Sequence, residues 1–211
     1  MKVYVEAGTK KVFACAVDWP GWSRAARSEE LALDALAEYC ERYEPVAEAA
    51  GLSLPKRTSF DVDERVRGDA TTDIGAPSAW AACDRRKLTA KQGEKIGALV
   101  KAAWDTFDAV AAGAPAELRR GPRGGGRDRD KMIDHVLGAE SVYLRKVGVR
   151  FKQPAIADTA AIGEARDAFL AVLRTPSDGE PPVEKGWPVR YTARRVAWHV
   201  LDHAWEMEDR S

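Results

Sequence analysis

The segment Thr192 to Asp209 constrains the fold more than any other part of the chain. Val196, Ala197, Val200, Leu201, Ala204 and Trp205 spread apolar side chains over more than half of a helical circumference. Such a helix is largely buried, so it needs neighbours. Three further segments supply them. Thr89 to Ala112 repeats Ile96, Leu99, Val100, Ala103, Trp104, Phe107 and Val110 at helical spacing, with Thr89 as its cap. Arg127 to Val147 offers Met132, Val136, Ala139, Val142 and Tyr143. Thr159 to Leu173 offers Ile162, Ala165, Phe169 and Val172. Thr175-Pro176 ends this third helix, and Pro181-Pro182 forbids helix beyond it. Thr192 is read as the cap of the last helix. Four helices around one core predict a four-helix bundle.

The first part of the chain has a different character. Met1 to Glu6 alternates apolar and polar residues, as a half-buried strand does. Gly8-Thr9 supplies a turn, and Lys11 to Val17 forms the second strand of a hairpin. Asp18-Trp19-Pro20-Gly21-Trp22 breaks the pattern. One helix then runs from the cap Ser28 to about Ala50, with Leu31, Ala35, Leu36, Tyr39 and Tyr43 on its apolar face and Gly51 as its stop. Ser59 to Val66 reads as another strand. The expected class is therefore α+β. Residues 1–66 form a small αβ module, 67–86 a linker marked by Gly68, Thr71, Thr72, Gly75, Pro77 and Ser78, and 87–211 the bundle. Residues 1–75 carry 10 Lys/Arg against 14 Asp/Glu, a net of −4 that the rest of the chain offsets.

Composition narrows the function classes. At 45% hydrophobic and 31% charged, the chain is ordinary for a globular protein. The net charge is zero, whereas a nucleic-acid binder is usually basic, so that class is disfavoured. No apolar run approaches the ~20 residues needed to span a bilayer, and residues 1–8 lack the apolar core of a signal peptide. Cys15, Cys40 and Cys83 are scattered and odd in number. That argues for a reducing compartment, and the expected location is cytoplasmic.

The chemistry rests on three histidines, His135, His199 and His203, the whole histidine complement of the chain. His199 and His203 stand four residues apart, so on a helix they lie ~40° and ~6 Å from one another on one face. Two imidazoles so placed can converge on one ion, and His135 falls mid-helix in the second bundle segment. Three neutral nitrogens leave one to three coordination positions open, the pattern of a reactive rather than a structural site. Helix geometry adds candidate catalytic groups. Arg195, four residues before His199, can hold a substrate carboxylate; its place near the helix start equally fits a solvated arginine. Glu206, three residues after His203, can act beside the metal or as a base; it equally fits a solvated helix end. Asp202 is read as outward-facing and Tyr143 as core.

Two motifs carry a family resemblance. Asp134-His135-Val136-Leu137-Gly138-Ala139-Glu140 with Tyr143-Leu144, and Tyr191 through His199, Asp202-His203 and Glu206, resemble the helix motifs of the DinB-like superfamily of bacterial four-helix metalloproteins. The likeness spans residues 89–210. It implies that His135, His199 and His203 bind a divalent metal, zinc or nickel. Family members of known activity use that metal with a low-molecular-weight thiol cosubstrate for transfer or isomerisation, and relatives are often homodimers. Residues 1–50 resemble the HicB-like fold through the hairpin, the Asp18-Trp19-Pro20-Gly21 turn and the long helix. That family binds protein partners, so Trp19 and Trp22 are candidate contact residues; they also suit closing the hairpin onto the helix.

The expected function is a metal-dependent enzyme acting on a small-molecule substrate. The alternatives are a non-enzymatic interaction protein that engages a protein partner through the N-terminal module, or a metal-dependent hydrolase. Arg119, Arg120, Arg123, Arg127 and Arg129 crowd a glycine-rich loop. They fit anion or RNA binding, but without aromatic stacking partners a solvated loop is the simpler expectation.

Overall fold

Glycine and proline divide the chain into the elements of the computed structural model, which describes residues 1–55, 59–121 and 126–211. The hairpin forms as expected, with β1 (Lys2–Ala7) antiparallel to β2 (Val12–Ala16). A strand that the sequence pattern hides, β3 (Ser23–Ala26), continues antiparallel to β2. It is only four residues long and follows immediately on the Asp18–Trp22 break, so no alternation develops. β4 (Asp61–Arg67) lies parallel to β1, giving the order β3-β2-β1-β4.

The helix expected over Ser28–Ala50 is two helices. Ser28 caps α1 (Glu29–Glu38) by accepting from the Leu31 amide. The chain turns at Tyr39 and continues as α2 (Cys40–Ala49). Pro45 inside α2 has no amide to donate to the Glu41 carbonyl, which weakens this stretch as one straight helix. Gly51 ends α2 at φ +72°. Leu31, expected in the core, is 52% exposed because the face that packs on the sheet is set by Ala32 and Leu36.

β1 is not half-buried: Val3, Tyr4, Val5 and Glu6 are all buried. One face of the sheet, with Val3, Ala14 and Ala16, belongs to the main core shared with α1, α2 and the helices that follow. The other, with Tyr4, Phe13 and Cys15, is covered by Ala81 and Cys83 and by Trp198. Residues 67–86, expected as a linker, thus supply cover. They carry α3 (Ala70–Ile74) and a 3₁₀ turn (Ala82–Arg85). Buried Glu6 holds this stretch, accepting from the Thr72 hydroxyl and from the Ser78 and Ala79 amides.

The four expected bundle helices are α4 (Ala90–Gly113), α5 (Arg129–Arg145), α6 (Thr159–Arg174) and α7 (Val189–Arg210). Thr89 caps α4 in a capping box with Gln92. Asp158 caps α6. α7 starts three residues before the expected cap. Pro188 precedes the first turn, where its missing amide costs nothing, and Thr192 turns its hydroxyl back onto the Pro188 carbonyl. Val142, expected in the core of α5, is 51% exposed, while Leu137 and Leu144 are buried instead. α7 packs against α4 and α5, and α4 against α6 and α2. One continuous apolar cluster runs from Trp22 and Tyr43 to Leu99, Met132 and Leu201, so the N-terminal module packs directly on the bundle. Among the described residues no helix is long and apolar enough to cross a membrane.

A buried ion pair fixes that junction. Arg194 donates from Nε and Nη2 to the two oxygens of Asp84, at 2.9 and 2.5 Å, and from Nη1 to the Tyr4 hydroxyl. Breaking such a pair strands a charge away from water, so the pair locks α7, the 3₁₀ turn and β1 in one register.

Candidate metal centre

α5 and α7 pack side by side, and that packing brings His135 to the His199–His203 pair. Nε2 of His135 and Nε2 of His199 lie 3.2 Å apart. One ligand nitrogen from each of the three residues lies within 4.8 Å of the other two. Two nitrogens each ~2.0–2.1 Å from one tetrahedral ion are about 3.4 Å apart, so the observed spacing suits a shared metal. The helical repeat alone places His199 and His203 together; the α5–α7 contact adds the third ring.

The electrostatics favour neutral imidazoles, the form that ligates. Burial, and after it the neighbouring His203 and His135 rings, holds His199 well below its usual titration range. Burial and then His203 hold His135 below its own. His199 is 6% exposed, and Tyr143 meets it edge-on with ring centres 5.6 Å apart.

Around the rings, Glu206 turns inward rather than dissolving at the helix end. Its Oε2 lies 3.1 Å from Nδ1 of His203, and its Oε1 accepts from Arg210 Nη1 at 2.9 Å. The hydrogen bond to His203, followed by Arg210, lowers the Glu206 carboxyl below its usual range. A carboxylate on Nδ1 sets the tautomer that leaves Nε2 free as a ligand. Nδ1 of His199 has no such acceptor among the described residues.

Arg195 is not the solvated arginine that its position also allowed. It is 9% exposed and donates from Nη1 to the Pro77 carbonyl at 2.7 Å. Its guanidinium lies over the Tyr143 and Trp198 rings, and its Nε is unpaired among the described residues. It therefore stands as a buried positive charge one helical turn from His199. Asp202 faces away from the cluster and pairs with Arg24 of β3 at 3.0 Å.

Sequence reasoning misses two supports. Gln153, from the loop after α5, donates to the backbone and side chain of Asp134 beside His135. The stretch Pro77–Ala79 accepts from Arg195 and the Tyr191 hydroxyl through the Pro77 and Ser78 carbonyls, and donates its Ser78 and Ala79 amides to Glu6. No spacing signals either, since the partners are 19 to 118 residues apart. The candidate contact residues Trp19 and Trp22 are buried: Trp22 stacks on Tyr43 at 5.2 Å and donates to the Leu36 carbonyl. In the arginine cluster, Arg119 and Arg129 spend hydrogen bonds on the carbonyls of Asp209 and Ala114. Arg123 lies outside the described residues.

Compared with family models, curated proteins and solved structures, the chain gives no match to any of them.

Proposed function

We propose that the protein is a divalent-metal-dependent enzyme of the DinB-like kind, holding zinc or nickel through His135, His199 and His203. Its substrate in this reading is a small electrophile, with a low-molecular-weight thiol as cosubstrate. The observation that carries the reading is the convergence of three imidazoles from two helices, with no fourth side-chain ligand in that group among the described residues. A site with three protein ligands keeps room for a reacting molecule.

When bound, the ion supplies the Lewis acidity that makes a thiolate available at neutral pH. The chain's own groups do the rest. Glu206 orients the His203 ring through Nδ1, which would turn Nε2 toward the ion. Arg195 holds positive charge beside the cluster, where it suits an anionic group on substrate or cosubstrate. Trp198 and Tyr143 keep water from the buried side of His199.

The test is metal content by elemental mass spectrometry on untagged protein, followed by thiol conjugation of a model electrophile such as 1-chloro-2,4-dinitrobenzene. About one ion per chain and metal-dependent consumption of thiol support the reading. Absence of metal after reconstitution overturns it. Bound metal with ester hydrolysis and no thiol consumption turns it toward a hydrolase.

A further inference from the structure

Gly163 stands inside α6, where a helix favours alanine. Packing does not ask for a glycine there, since a Cβ built on it meets nothing within 4 Å. Gly93 is the opposite case, because its Cβ would strike the Leu173 carbonyl. Gly163 instead lines a groove of about 640 Å³, within the ~300–1,000 Å³ typical of small-molecule sites. A side chain at that position would stand in the groove.

The groove follows from how the helices pack. α6 rests on α4 and α5 on α7, which leaves a space between α5 and α6 over α4. Ile133 of α5 and Ile162 of α6 are half-buried at its walls, and Ala112 of α4 is exposed at its edge. Ile156, from the loop between α5 and α6, is 40% exposed. These residues present apolar surface that a ligand can reach, whereas Phe107 and Leu137 beneath them are closed off.

Charge decides what the groove can hold. Four charged side chains line it, and they cancel in pairs: Arg166 with Asp108 at 2.6 Å, and Arg129 with Asp130 at 2.8 Å. Glu140 lies behind Arg166, and burial drives it toward its neutral form. The walls therefore hold no spare cation for an anionic ligand.

We infer that this groove binds a neutral aliphatic small molecule. Ile133, Ile156 and Ile162 take its hydrocarbon, and the two ion pairs at the rim face its polar end. Gly163 keeps the room for it. α5 turns His135 toward α7 and Ile133 toward the groove, so the site is separate from the histidine cluster and independent of the metal-enzyme reading.

Calorimetric titration of the full chain tests the site, with 1-octanol as probe and octanoate and octylammonium as charged controls. The alcohol is expected to bind about ten-fold tighter than either ion, whose charge loses hydration without gaining a free partner. Gly163→Leu should abolish octanol binding while the melting temperature stays or rises, because the side chain has room and leucine suits a helix better than glycine. Ala112→Leu narrows the groove from α4 and decides the matter if Gly163→Leu melts earlier; it should weaken binding as well. His199→Ala should leave binding intact. No binding of octanol overturns the proposal, as do ions that bind as well as the alcohol, binding that survives both leucine variants, or binding lost in His199→Ala. A chain that is dimeric by size-exclusion chromatography and monomeric as Gly163→Leu also overturns it, because a second copy then fills the groove.

Discussion

Nε2 of His135 and Nε2 of His199 stand 3.2 Å apart across 64 residues of sequence. The contact joins α5 to α7 at their facing surfaces. In the proposed metal site His135 is indispensable, because an i, i+4 pair alone supplies only two ligands. His135→Ala should therefore drop bound metal from about one ion per chain to near none, as read by elemental mass spectrometry after desalting. Stoichiometric metal in that variant would remove His135 from the ligand set.

Oε2 of Glu206 lies 3.1 Å from Nδ1 of His203, so in the proposed metal site its part is to orient that ring rather than to bind the ion. Glu206→Leu leaves every ring in place but takes the acceptor from Nδ1. Metal affinity should fall ~10–100-fold, the usual effect of losing such a partner. Competition with a chromogenic chelator measures this, and Glu206→Gln, which keeps an acceptor, should recover most of the loss. Equal affinity in Glu206→Leu would show that the contact does not orient the ring.

Glu140 is buried in α5 where the Trp104 indole donates to it. Burial pushes its carboxyl up to about 7, against the opposing pull of Arg166. In the unfolded chain it ionises near 4.5. Between those values the folded state binds more protons, so its stability falls as pH rises through the window. Glu140→Gln stays neutral throughout and escapes the loss. The melting temperature of the metal-free variant should gain on the unchanged protein by several degrees from pH 5 to pH 8. One pKa unit corresponds to about 1.4 kcal/mol, so the gain is bounded near ~3 kcal/mol. A difference that stays flat with pH would show that Glu140 is not held protonated.

Gly93 sits inside α4, where helix propensity favours alanine by ~1 kcal/mol. A Cβ at that position would stand 1.9 Å from the Leu173 carbonyl oxygen at the end of α6. Gly93→Ala should therefore destabilise by roughly 1–3 kcal/mol despite its better propensity. A lower urea midpoint is the expected result, whereas a higher one would mean that α4 and α6 do not approach so closely.

The bundle helices are legible because apolar residues recur at helical spacing in all four, and α4 and α6 also carry side-chain caps. Thr89 with Gln92 forms a capping box, Asp158 and Thr159 mark a start, and apolar residues recur at 3.6 spacing between such signals. Burial direction is less legible where apolar residues flank the stripe on both sides. Leu31 and Val142 fit a helical repeat yet face solvent, since Ala32 with Leu36, and Val136 with Leu137, set the packed faces. β3 is hidden because four residues carry no period. The burial of both sheet faces is hidden because the covering residues come from 67–86 and from Trp198.

Local residue patterns specify the helices, the α+β order and the His199–His203 pair, because caps, periodicity and i, i+4 spacing act within a few residues. Which side chains meet across elements is settled by packing: His135 with His199, Arg195 with Pro77, and Arg194 with Asp84. Those pairings join residues 64 to 118 positions apart. They depend on how helix faces and sheet faces fit together, and that fit is a property of the whole core rather than of any local run.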